Sequence, residues 1–243
     1  MPIRQKVFLT GGTAGIGRAT TLLLAEKGYD VFIIGRNVDK LEDLLQDARQ
    51  RNIAEYISYM LQDLTDYTAL EALLPKIWSE HGPFHVLINN AGIGFGGVCG
   101  ADADSLQYMT KTNLDAYLLL SGFFAEQMVK ANITGDIINV GSMSADGREG
   151  KSTGYVATKS GIQGFTESLR KELNPHNIRV SLIEPGAVGT DMQSPSPEEQ
   201  RQLAEKLEML KAEDIAKVIH FILWQDRRVS IVELKIKALR QFI

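Results

Sequence analysis

Ser142, Tyr155 and Lys159 fall within one short stretch, SMSADGREGKSTGYVATK, residues 142–159. Tyr155 and Lys159 are one helical turn apart, so on a helix they share a face. An ammonium beside a phenol favours the phenolate, which lowers a pKa that starts near about 10. A tyrosine tuned in this way works as a general acid or base. Ser142, whose hydroxyl both donates and accepts, can hold a substrate oxygen against that phenol. In isolation the same spacing also describes an exposed Tyr and Lys on an amphipathic helix.

A second stretch, TGGTAGIGRA at residues 10–19, lies directly behind the apolar run VFLT. Between a strand and a helix, Gly11 lets the chain turn tightly, Gly15 lets a phosphate approach, and Gly17 lets the helix pack on the sheet. The helix N-terminus offers unpaired N–H groups and a partial positive charge, which suit a pyrophosphate. One strand–helix–strand unit later, VFIIGRN places Gly35 where a dinucleotide site commonly carries an acid for the ribose hydroxyls. With no carboxylate there, Arg36 and Arg18 can pair a 2'-phosphate with guanidinium groups, which favours NADP over NAD. The plainer reading makes Arg36 one more solvated charge at a strand end.

The elements that must hold these residues are legible as alternating patterns. VFLT, VFIIG, VLINN, DIINV and RVSLIE are solid apolar runs, as expected of parallel strands covered on both faces. Helical stretches lie between them: ATTLLLAEKG closed by Gly28, DKLEDLLQDARQR, and a long one within residues 101–130 ending before the turn NITG. This order predicts an α/β fold with an open, doubly wound parallel sheet, ligands binding beyond the carboxyl ends of the strands where the strand order reverses. One domain over 1–243 is expected, QSPSPEEQ at 193–200 being a loop before a helix that begins near Glu198.

Composition narrows the function classes. The 243 residues are 44% hydrophobic and 23% charged, with a net charge of -4, so the chain lacks the basic field that nucleic acid or anionic lipid needs. The single Cys99 cannot form an internal disulfide, no Cys and His spacing suggests a metal site, and a reducing compartment fits. A first strand at about Lys6 leaves no room for a signal peptide and no apolar run could cross a bilayer, so a cytoplasmic location is expected.

Taken together, these features resemble the classical short-chain dehydrogenase/reductase family from about residue 6 to 233. The matching elements are TGGTAGIG, Asp63 in QDLTD, NNAG at 89–92, Asn113 in TNLDA, Ser142, YVATK and EPGAVGT. The resemblance implies a Rossmann-type sheet of about seven strands flanked by helices on both faces. It implies that Tyr155 is the proton donor in carbonyl reduction, that Lys159 holds the ribose hydroxyls and lowers the tyrosine pKa, that Ser142 positions the substrate, and that Asn113 completes a proton relay through water. It further implies cofactor contacts from Gly11, Thr13, Ala14, Gly15, Ile16, Gly17 and Arg18 in the first turn, with Arg36 beyond them. Asp63 and Leu64 would flank the adenine, Asn90, Ala91 and Gly92 would border its ribose, and Pro185, Gly186, Val188 and Thr190 would meet the nicotinamide carboxamide. The hydride belongs to the cofactor.

Two positions depart from the family pattern. His85 in FHVLINNAG stands where the family often has Asp, and it is assigned no chemistry. The ending RRVSIVELKIKALRQFI lacks the Asp-Gly-Gly of many members; with VSIVELKI and Gln241 it looks more like the branch that includes dehydrogenases of serine and other 3-hydroxy acids. A substrate wall is expected from Met143, Ser144, the loop GIGFGGVCG and a short lid around 190–211, which suits a small substrate. Arg148 could grip a substrate carboxylate in a fork, or be a solvated loop residue.

The reading is an NADP(H)-dependent oxidoreductase acting on a small carbonyl or secondary alcohol. Its alternatives are a 3-hydroxy acid dehydrogenase, a 3-oxoacyl reductase, or a non-enzymatic NADP(H) sensor that would need no catalytic tetrad. Apolar faces on the helices around 105–130 and 155–173, by the same resemblance, imply a homodimer or homotetramer.

Overall fold

The computed structural model describes residues 4–242; residues 1–3 and 243, the ends of the expected 1–243 domain, lie outside them. The solid apolar runs become strands β1 (Lys6–Thr10), β2 (Asp30–Gly35), β4 (Val86–Asn89), β5 (Asp136–Val140) and β6 (Arg179–Pro185). Two edge strands, β3 (Ile57–Leu61) and β9 (Glu233–Ile236), complete a seven-stranded sheet in the order β3-β2-β1-β4-β5-β6-β9. All six pairings in it are parallel. This is the Rossmann-type, doubly wound sheet. The sequence reading missed β3, since ISYML keeps only Ile57 buried and so lacks the solid apolar signature of the central strands.

Alternation along each strand divides the core in two. Val7 and Leu9 of β1 pack into one face with helices α1 (Gly15–Glu26), α2 (Val38–Gln50) and α9 (Ala212–Trp224). Phe8, between them, enters the opposite face with α3 (Tyr67–His81), α5 (Ala116–Lys130) and α7 (Thr153–Leu173). There Phe8 stacks on Phe32 at 5.5 Å and meets Phe124 at 4.6 Å and Phe84 at 5.7 Å between ring centroids.

Helix starts follow their caps. Asn37, Asp66 and Asp102 accept from the third following backbone N–H, opening α2, α3 and α4 (Ala103–Thr110). The long helix expected across 101–130 is broken by a π turn at Lys111–Asp115, between α4 and α5. After β5 comes the short α6 (Ser144–Gly147). After β6 come β7 (Val188–Gly189), α8 (Pro197–Glu205) and β8 (Leu210–Lys211), the two short strands pairing with each other. Ser196 and Glu199 form a capping box that starts α8 one residue before the expected Glu198.

At the amino ends of β5 and β6, Asp136 is buried between two arginines. It lies 2.6 Å from Arg179 Nε and 2.8 Å from Arg227 Nη1. Arg179 also donates to the carbonyls of Gln225, Asp226 and Val229, tying the sheet to the chain after α9.

Candidate active site

The chain runs outward from β1 to β2 and β3, then returns to β4 on the other side of β1. The strand order therefore reverses between β1 and β4, and beyond their carboxyl ends opens a cleft of about 1280 Å³. The glycine turn forms its floor. Gly11 has φ +67° and its N–H donates to the Ile34 carbonyl at 2.8 Å. Gly15 has φ +50°, and a Cβ there would stand 2.9 Å from Thr190 Cγ2 across the cleft. Gly17 faces away: a Cβ would collide with the Gly11 carbonyl oxygen, so it serves the packing of α1.

Ala14, the N-cap of α1, supplies no side-chain hydrogen bond, and no acid lies in the first turn. The leading N–H groups of α1 are thus left to an outside acceptor, a cradle that fits a phosphate. Thr13, Ala14, Gly15 and Ile16 line the cleft beside it. Thr13 also fills the space in front of Gly35, where a Cβ would lie 3.2 Å from its methyl group.

At the adenosine end, Arg36 lines the cleft with Asp63 and Leu64. Arg36 Nη1 lies 3.4 Å from Asp63 Oδ2, and the same oxygen accepts from the Tyr108 hydroxyl at 2.8 Å. The Arg36 guanidinium also sits 5.3 Å from the centre of the Tyr108 ring. Arg18, expected beside Arg36, is placed elsewhere. It is outside the cleft lining, its Nη2 held 3.1 Å from both Asp43 and Asp47 of α2. Two carboxylates one turn apart on α2 draw the side chain away from the ribose position.

Asn90, Ala91 and Gly92 border the cleft after β4. The Asn90 amide donates to the Thr10 carbonyl at 2.9 Å, and Thr10 Oγ1 accepts from the N–H groups of Asn90 and Ala91, each at 2.9 Å. This lashes the ends of β1 and β4 together. Asn113, buried in the π turn, is clamped to one backbone unit: Oδ1 accepts from Ile93 N and Nδ2 donates to Ile93 O, both at 2.8 Å. The extra residue of the π turn lets a helical side chain reach this loop.

On the opposite wall, Ser142, Tyr155 and Lys159 line the cleft together. Lys159 is buried; its Nζ donates to the Val140 carbonyl at 2.9 Å and lies 5.7 Å from the centre of the Tyr155 ring. Burial pushes the lysine down to about 8, opposed by the charge of Glu184. The Tyr155 phenol does not follow the expected lowering. Burial raises its pKa, the Ser142 hydroxyl offsets part of this, and Glu149 raises it further. Desolvation of the phenolate sets the direction, and the nearby ammonium is engaged by the Val140 carbonyl.

From the end of β6 onward, Pro185, Gly186, Val188 and Thr190 line the cleft. The chain end folds back onto it. Gln241 Oε1 accepts from Ala187 N at 3.1 Å, its side chain covers Gly186, and Arg240 N donates to the Leu207 carbonyl at 2.8 Å. Met143 and Ser144 line the substrate side, as does Phe95, while Met192 and Gln193 face them from the lid. Across the mouth, Lys40 of α2 is ion-paired with Asp191.

Arg148 does not reach the cleft. It adopts a left-handed backbone at φ +51° and donates Nε to the Ala145 carbonyl at 3.3 Å, while its neighbour Glu149 lines the cleft. His85 accepts from Lys6 N through Nδ1 at 3.2 Å, outside the cleft, and burial lowers its pKa. Tyr108, Lys40, Glu149 and Gln193 were not singled out from the sequence. Each meets the site through tertiary contacts that leave no local spacing.

The fold and this cleft define a dinucleotide-binding oxidoreductase, and residues 5–201 match the family model for short chain dehydrogenase. The chain belongs to the short-chain dehydrogenase family. It is 33% identical over 193 residues to the 3-oxoacyl-(acyl-carrier-protein) reductase FabG of Chlamydia pneumoniae, covering 79% of this chain and 77% of that protein. It is 29% identical over 238 residues to the NADP-dependent 3-hydroxy acid dehydrogenase of Schizosaccharomyces pombe, covering 94% of this chain and 90% of that one. Among solved structures, the closed form of a serine dehydrogenase complexed with NADP+ superposes with a TM-score of 0.84 at 26% identity, over 98% of this chain and 97% of the other.

Proposed function

We propose that the chain is an NADP(H)-dependent oxidoreductase that interconverts a small carbonyl compound and its secondary alcohol. The observation that carries this reading is that Ser142, Tyr155 and Lys159 line one cleft with the uncapped first turn of α1. In it, Gly15 and Ile16 at the head of α1 take the phosphates, Asp63 and Leu64 flank the adenine, and Ala91 and Gly92 border its ribose. Arg36, which follows Gly35 where many dinucleotide sites carry an acid, is the cation for a 2'-phosphate. Lys159 holds ribose hydroxyls and Pro185 to Thr190 receive the carboxamide. The NADP in the names of two of the proteins above supports this choice. When bound, the nicotinamide supplies or takes the hydride.

Tyr155 donates the proton to the carbonyl oxygen in reduction, and Ser142 holds that oxygen in place. The raised phenol suits the acid role, because it stays protonated through neutral pH. Asn113 fixes Ile93, and with it the loop that covers one side of the substrate; its amide is committed there, so a proton relay does not run through that group.

Of the two acidic side chains at the substrate end, Asp191 is paired with Lys40, which among the described residues leaves Glu149 as the unpaired charge facing a substrate. A neutral carbonyl substrate is therefore favoured over a carboxylate. A 3-hydroxy acid is the second reading, supported by the likeness to the fission-yeast enzyme and by Gln241 at the nicotinamide end. Leu118 and Val129, exposed on α5, support self-association.

The test is a fluorescence titration with NADPH and NADH, followed by NADPH oxidation against matched neutral ketones, aldehydes and 3-oxo acids. Tighter NADPH binding with turnover of neutral carbonyls supports the reading. Preference for NADH overturns the cofactor assignment to Arg36, and turnover confined to 3-oxo acids moves the substrate to the second reading.

A further inference from the structure

Glu184 is fully buried near the end of β6, and the reaction outlined above makes no use of it. Its Oε2 accepts from Gln163 Nε2 at 3.2 Å and lies 3.7 Å from Lys235 Nζ. Its Oε1 has no hydrogen-bond partner among the described residues. A carboxyl group placed so deep with one oxygen unpaired is costly unless a charge nearby balances it.

Two independent contacts bring that charge close. Gln163 is one helical turn beyond Lys159, on the same face of α7, so the residue that grips Glu184 lies next to the lysine. From β5, the Val140 carbonyl accepts from Lys159 Nζ at 2.9 Å, while a Cβ on the adjoining Gly141 would lie 3.3 Å from Glu184 Oε1. Lysine and glutamate thus close on a single peptide unit, the one immediately before Ser142. The other cation is shared: besides Glu184, Lys235 Nζ lies 2.5 Å from Asp146 and 3.0 Å from Glu233.

We propose that Glu184 is a positioning residue for Lys159, its buried carboxylate keeping the lysine an ammonium at the floor of the cleft. The groups facing the pair agree with this assignment. Glu184 meets Asp146 from α6, Gln163 from α7, and Glu233 and Lys235 from β9. Lys159 meets the Tyr117 and Tyr155 rings, 5.5 and 5.7 Å from their centres. Burial pushes the lysine down to about 8 and the charge of Glu184 opposes that loss, while burial pushes the glutamate up to about 7 against the charge of Lys235. The consequence for catalysis rests on the proposed function, whereas the coupling itself does not.

The experiment reads the lysine directly. Full-length protein labelled with 13C-lysine is titrated from pH 6 to 11 by NMR, the Lys159 signal being assigned by its loss in Lys159→Arg. In Glu184→Gln the Lys159 midpoint falls by about half to one pH unit, a roughly three- to tenfold fall in the ammonium-to-amine ratio at a given pH. Lys235→Met, which alters a half-exposed side chain and leaves Glu184 in place but less ionised, shifts it in the same direction by less. Glu184→Asp restores most of the midpoint. A midpoint unchanged in folded Glu184→Gln overturns the proposal; if that variant does not fold, an unchanged midpoint in Lys235→Met does so. A shifted midpoint in a protein that oxidises NADPH with no carbonyl substrate upholds the coupling and removes the proposed function instead.

Discussion

Arg36 and Asp63 meet at the adenosine end of the cleft, with Arg36 Nη1 3.4 Å from Asp63 Oδ2 and Tyr108 bonded to the same oxygen at 2.8 Å. On the proposed reading Arg36 is the cation that would meet a 2'-phosphate, and Arg18, paired with α2, offers no substitute. Arg36→Leu should weaken NADPH binding roughly tenfold, about the worth of one charge-assisted contact, and leave NADH binding nearly unchanged. Fluorescence titration checks it, and equal loss for both cofactors would remove Arg36 from cofactor choice.

Tyr155→Phe deletes only the hydroxyl that gives the proton. NADPH should bind with similar affinity while kcat falls by about a thousandfold or more. Retained turnover would sink the role given to this residue.

The pH profile should separate the tyrosine from the lysine. Burial brings Lys159 down to about 8, and with its ammonium as the proposed active form carbonyl reduction should hold below that pH and be lost as pH rises through it. Tyr155, raised by burial, remains a proton donor over the same window. A rate of kcat/KM that declines about tenfold per pH unit above 8 is expected; a first decline only near 10 would assign the limb to the phenol.

Asp136 is a single carboxylate serving two arginines inside the fold. Asp136→Ala strands Arg179 without its partner in a buried site and should cost about 3–5 kcal/mol, read by denaturant unfolding. A loss below about 1 kcal/mol would place this network with surface ion pairs.

Lys40 and Asp191 join the two sides of the cleft mouth through exposed side chains. Such a pair is worth at most about 1 kcal/mol, so Asp191→Asn should speed NADPH release by roughly two- to fivefold in stopped-flow experiments. High salt should have the same effect on the wild type and little on the variant.

Much of this site is legible locally. The turn from Gly11 to Gly17, the one-turn spacing of Tyr155 and Lys159, and the solid runs of the central strands need only near neighbours to be understood. What escapes is set by long-range packing. Arg18 and Arg148 both look available in the sequence, but Asp43 and Asp47 hold the first, while a left-handed backbone turns the second to Ala145. Tyr108 gives no sign of reaching Asp63, forty-five residues away in the chain. The direction of the tyrosine pKa escapes local reading for the same reason: spacing counts the ammonium beside the phenol but not the water that folding removes.

The π turn at Lys111–Asp115 acts as a phase shifter. Each residue advances a helix by about 100°, so one residue more or fewer there reorients everything upstream relative to everything downstream. With the turn in place, Tyr108 points at the adenosine end, Asn113 at Ile93 and Phe124 into the core, three destinations that a continuous helix could not serve in one register. Deleting a single residue from the turn would therefore rotate Tyr108 and the start of the helix away from the register in which Phe124 packs.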